Sequence, residues 1–165
     1  MQCRYADRYL LLDLITMKAE LLQLIKEANC IKVELGDDKW GEPDHFAKDS
    51  DLVPGSEPKV YSFDQKMSGA RVVEEMEKDG YRPGTTADLL TYAANNSDSL
   101  LADLCARLNE LVALGTVSPV GGGLGTVPRL CTVHGKLYLG TECFAGPRMS
   151  LPEYPKSTLY IAVRK

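Results

Sequence analysis

Apolar positions along this chain keep two rhythms, helical through most of its length and strand-like at its end. Between residues 6 and 28, Leu10, Leu14, Met17, Leu21, Leu24 and Ala28 recur at spacings of four and three, and Leu11, Ile15, Leu22 and Ile25 widen the stripe. So broad a face predicts a helix laid on a core, whereas a coiled coil would keep a narrower seam over more heptads. Asn29 ends that helix, and Cys30-Ile31-Lys32-Val33-Glu34-Leu35 alternates as a strand does. Residues 59 to 63 predict another short strand. Residues 64 to 79 predict a helix with Met67, Ala70, Val72 or Val73, and Met76 on one face, and Gly80 at C′.

Thr85 followed by Asp88 forms an N-terminal capping box ahead of Leu89, Leu90, Tyr92 and Ala93. That helix is expected to stop at Asn95-Asn96. A second one, capped by Ser97 or Asp98, should run to about Leu108 with Leu100, Leu101 and Leu104 on its face. From Leu111 onward the pattern turns to strands. Leu137 and Leu139 alternate, as do Leu159, Ile161 and Val163. Tyr138 falls out of phase with its neighbours and belongs to the opposite face. Tyr160, inside the last strand, is expected in the core or at an edge.

Between these elements, residues 36 to 58 carry Gly36, Gly41, Pro43, Pro54, Gly55 and Pro58 with many acids, an acidic loop excursion. Its acids do not keep the spacing of an EF-hand loop, so they are read as a solvated loop. At 165 residues, 44% apolar and 25% charged, the chain is read as a single α+β domain, residues 1–165. The net charge of −4, with no basic run, argues against a nucleic-acid partner. No apolar run is long enough for a membrane span, and the N-terminus has no signal-peptide core. The five cysteines, Cys3, Cys30, Cys105, Cys131 and Cys143, contain no CxxC pair, which points to free thiols and a cytoplasmic location.

Chemistry-bearing motifs are sparse. Gly121-Gly122-Gly123-Leu124-Gly125 lacks the Gly-Lys-Ser/Thr ending of a phosphate loop, and Pro128 stands where a helix should begin. A hairpin loop accounts for it better. Cys131, His134 and Cys143 offer at most three zinc ligands, with His45 far away, so no metal site is assigned. No Ser-His-Asp or Cys-His arrangement has a recognisable context, and no catalytic residue or cofactor is assigned. The last segment intersperses Tyr138, Phe144, Arg148, Tyr154 and Tyr160 with Ser, Thr and Gly, a composition suited to binding surfaces.

Two stretches carry a family resemblance. Gly80-Tyr81-Arg82-Pro83, then Thr85 and a helix through Tyr92-Ala93-Ala94, resembles a segment of formylglycine-generating-enzyme-like domains. Leu159 to Arg164 resembles the strand that closes those domains. The resemblance implies a C-type lectin fold, with helices packed on antiparallel strands. Pro83 follows Arg82 where that family has Leu, and the chain's single tryptophan is Trp40, outside the matching helix. The chain is more similar to a non-enzymatic branch, the variable proteins of diversity-generating retroelements, whose C-terminal segment is hypervariable.

That resemblance implies a framework of Leu111, Val112, Ala113, Leu114, Gly115, Val127, Pro128, Leu130, Leu137, Leu139 and the closing strand, within a variable region over 111–165. It implies one exposed ligand-binding surface made of Ser118, Arg129, Thr132, His134, Lys136, Tyr138, Glu142, Phe144, Arg148 and Tyr154. The partner would be a protein or other macromolecule, and the chain a monomer. The alternatives are a formylglycine-generating-type oxidase using Cys131 and Cys143, with copper, and a cytoplasmic assembly subunit docking through its first helix.

Overall fold

The computed structural model describes residues 23, 25–28, 31–32, 55–107, 109–121, 124–145, 151 and 153–165. Its strands are β1 (Ile31–Lys32), β2 (Pro58–Ser62), β3 (Met67–Ser68), β4 (Tyr81–Pro83), β5 (Leu111–Val112), β6 (Ser118–Gly121), β7 (Leu124–Val133), β8 (Lys136–Ala145), β9 (Glu153–Tyr154) and β10 (Leu159–Arg164). Its helices are α1 (Gly69–Lys78) and α2 (Thr86–Arg107). The class is mixed α+β.

The main sheet runs β1-β8-β7-β5-β10-β2, with β4 also on β10 and β6 also on β7. Most pairs are antiparallel; β1 with β8 and β5 with β10 are parallel. A separate ribbon joins β3 to β9. Of the expected first helix, Gln23 and residues 25–27 are described and are helical. Of the expected strand after it, Ile31 and Lys32 are described and pair with Tyr138 and Leu139. Residues 36–54 of the acidic excursion lie outside the described residues.

Both faces of the sheet are buried, and strand alternation divides the core in two. On one face Leu111, Leu130, Leu137, Leu139 and Ile161 meet Leu89, Leu90, Ala93, Leu100 and Leu104 of α2, with Ile25 and Ala28. On the other, Val112, Val127, Tyr160 and Ala162 meet Val72 and Met76 of α1 and Met67 and Tyr154 of the ribbon. Burying a large apolar side chain of this kind contributes roughly 1.5–3 kcal/mol. The central strand β10 serves both clusters, which is why Tyr160 is buried as expected.

One helix boundary differs from expectation. The first helix of this part starts at Gly69 rather than Asp64, because Met67 and Ser68 are spent pairing with Tyr154 and Glu153. Ser68 then caps α1 by accepting the Arg71 amide hydrogen at 3.3 Å. Gly80 follows the helix with φ +82°, as its C′ assignment requires. At Asn96 the expected break is found: its φ of −133° and ψ of 24° are non-helical, and two helical segments of α2 meet there across a kink. The Asn96 side-chain amide donates to the Tyr92 carbonyl at 2.9 Å, a local bond that bends a helix.

At the start of α2, the Thr85 amide donates to Asp88 Oδ2 at 2.8 Å and the Asp88 amide approaches Thr85 Oγ1 at 3.4 Å, the expected capping box. Just before it, Gly84 donates to the Ile161 carbonyl at 2.8 Å and accepts from Gly115 at 2.9 Å. A Cβ on Gly84 would stand 2.7 Å from Ile161 Cγ2 and 2.9 Å from its carbonyl oxygen. Only glycine lets these backbones approach so closely.

Candidate binding surface

The β7–β8 hairpin organises the C-terminal region. Val133 pairs with Lys136 across a two-residue turn of His134 and Gly135, whose φ angles are +50° and +73°. Two consecutive positive φ values are the signature of a type I′ turn, whose twist matches that of the flanking strands. The turn sets the register. Leu130 opposes Leu139 in the core, and Cys131 opposes Tyr138 on the other face, where both are partly exposed.

This register distributes the expected binding residues. Arg129, Tyr138 and Glu142 are half-buried on one face, with exposed Lys136 further along it. His134 is exposed at the turn. Thr132 opposes Leu137, so it belongs to the opposite parity, at the rim of the helix-covered face. Ser118 takes its place in the ladder opposite Thr126, and Phe144 opposite Gly125. Arg148 lies outside the described residues.

Tyr154 is a correction. It was expected on the surface, but it is fully buried. Pairing of β9 with β3 turns it inward, where its ring meets that of Tyr160 edge-on at 5.5 Å. Tyr154 therefore does not belong to the expected surface.

Beside this face lies a cleft of about 260 Å³, where β7 runs past the beginnings of β5 and β10. Asn109, Glu110, Arg129, Cys131, Ser157 and Thr158 contribute to its walls. Arg129 donates to Glu110 at 2.5 Å. Burial pushes the Cys131 thiol up, with Glu110 adding and Arg129 opposing, so the sulfur is held as a thiol. Burial likewise pushes the Glu142 carboxyl up, with the charge of Glu110 adding and Arg129 opposing. Tyr154 is raised by its burial and then by the charge of Glu142. Asn109 Oδ1, Glu142 Oε2 and the Tyr154 hydroxyl have no hydrogen-bond partner among the described residues.

Asn109, Glu110, Ser157 and Thr158 escaped the sequence reading. Asn109 and Glu110 occupy the short join between a helix and a strand, and nothing local marks that join as facing Arg129. The only available signal was a polar pair between Leu104 and Leu111, both buried.

Cys131 pairs with Tyr138 and Cys143 with Thr126. About five strand residues, roughly 17 Å, therefore separate the two positions along the ladder. This spacing does not bring two thiols onto one copper ion.

Comparisons with protein-family models, with curated proteins and with solved structures find no match to this chain. Among the described residues, no helix is long and apolar enough to cross a membrane.

Proposed function

We propose that this chain is a ligand-binding scaffold of the C-type lectin kind, the variable protein of a diversity-generating retroelement, which recognises a protein or other macromolecule through its C-terminal ladder. The observation that carries this reading is a division of labour within consecutive residues. Leu111, Val112, Ala113, Leu114, Val127, Leu130, Leu137 and Leu139 are all buried. Interleaved with them, Arg129, Thr132, His134, Lys136, Tyr138 and Glu142 keep contact with solvent. A solvent-facing side chain can be replaced at less cost than a core one. Codons of such a hairpin can therefore be rewritten at alternate positions while the fold persists. Arginine and tyrosine are the side chains that most often anchor protein interfaces.

Sequencing the DNA beside the gene tests this. The expected result is a near-copy of the codons for about residues 115 to 165, differing chiefly where the copy has adenine, with a reverse-transcriptase gene nearby. If the flanking DNA holds neither, the diversified-binder reading is wrong.

A further inference from the structure

We propose that the face of β8 between Tyr138 and Glu142 is a slot for a long cationic side chain, a Lys or Arg presented by a protein ligand. This rests on the reading of the C-terminal ladder as a binding surface and names the chemistry that surface would take.

Alternation puts Tyr138, Gly140 and Glu142 on one face of β8, with Cys131, Arg129 and Val127 opposite them on β7. Successive residues of one face stand roughly 7 Å apart, so Gly140 is a gap between two half-buried side chains. Neither of the usual reasons for a glycine applies there. Its φ is not among the positive ones, and a Cβ built on it meets nothing within 4 Å, in contrast to the tight approach at Gly84. Open space above the strand is what Gly140 provides, and a stem lying in it runs from the Tyr138 ring toward the Glu142 carboxylate.

Charge selects the occupant. Among the described residues no hydrogen-bond partner holds Glu142 Oε2, and Arg129, on the neighbouring strand, is bonded to Glu110 at 2.5 Å instead. The Glu142 charge is therefore left without its own counter-ion. Burial makes that charge costly, and water alone does not neutralise it. A cation needs only a place beside Glu142, not a bond to the enclosed Oε2, because opposite charges attract through space. An anion would be repelled. A hard metal ion wants six or more oxygen ligands, and no cluster of three ligating side chains occurs among the described residues. Lys and Arg combine what the slot offers to each end: an apolar stem for the floor of Gly140 and the Tyr138 ring, and a cationic head for Glu142.

Titration of the isotopically labelled protein with N-acetyllysine methylamide and N-acetylarginine methylamide, followed by amide chemical shifts, tests the slot. The norleucine and citrulline compounds are their uncharged counterparts. Saturable shifts at Tyr138, Gly140 and Glu142 are expected with at least one cationic compound, and affinity weaker by about tenfold or more with its counterpart. Glu142→Gln should reduce the cationic compound to the affinity of its counterpart. Gly140→Val, which fills the gap at a position where a Cβ meets no neighbour, should abolish the response. No saturable response to either cation, equal affinity for a cation and its counterpart, or a response unchanged in Glu142→Gln or in Gly140→Val would overturn the proposal. The flanking DNA judges the underlying reading separately. A failed titration beside a repeat removes the slot alone, and a failed titration with no repeat removes both.

Discussion

Two carboxylates, Asp88 in the first turn of α2 and Glu142 on β8, are treated in opposite ways. Asp88, whose side chain is fully buried, is surrounded by donors: the Gly55 amide at 2.5 Å, the Thr85 amide at 2.8 Å, and the Thr85 hydroxyl and Arg82 guanidinium at 3.0 Å. Glu142, half-buried, leaves Oε2 without a hydrogen-bond partner among the described residues, as Tyr154 leaves its hydroxyl. The first site locks β4 to the start of α2 and is complete. The second is incomplete among the described residues. A polar group with every bond made holds the fold together; one left short carries an uncompensated desolvation cost.

The sharpest way to break this contrast is Asp88→Ala, which strands Arg82 and two backbone donors. Thermal unfolding should show a loss of about 3–5 kcal/mol, and a loss no larger than that of a surface variant would mean the network is ornamental. Leu139→Ala, in the framework of the hairpin, should cost about 2–5 kcal/mol in denaturant titration.

At the incomplete site the sign reverses. Burial raises the Glu142 pKa above its ordinary 4.5, so the stability tied to its protonated form is full below that value and is lost as pH rises through the folded-state pKa. Glu142→Gln should therefore raise the melting temperature at neutral pH, with the advantage vanishing in acid. A variant less stable at neutral pH would show the carboxylate to be partnered after all. Tyr154→Phe removes a hydroxyl that has no hydrogen-bond partner among the described residues and should change stability by less than about 1 kcal/mol. Smallest of all, Lys136→Ala on the exposed ladder should stay within about 0.5 kcal/mol of the parent.

What was legible in the sequence was what is local. The capping box of Thr85 and Asp88 spans a few residues, and its bonds are those the spacing implies. The alternation that sends Leu137 and Leu139 inward and Tyr138 outward is a property of any strand. Burial of Tyr154 was not legible, because it depends on Met67 reaching it from a distant part of the chain. The same pairing moved the start of α1. Asn95-Asn96 has the composition of a helix end, and the non-helical Asn96, its side chain bonded back to Tyr92, divides α2 there as that composition implies. The cleft draws on three separated segments, so no stretch of sequence could display it.

The most direct test of the separation between framework and display is a pair of libraries scored for protease resistance. One randomises Thr132, His134, Lys136 and Tyr138 together; the other randomises Val127, Leu130, Leu137 and Leu139. Most members of the first library should remain folded and nearly all of the second should be cleaved. Comparable losses in both would contradict the account, because the hairpin would then have no positions free to vary.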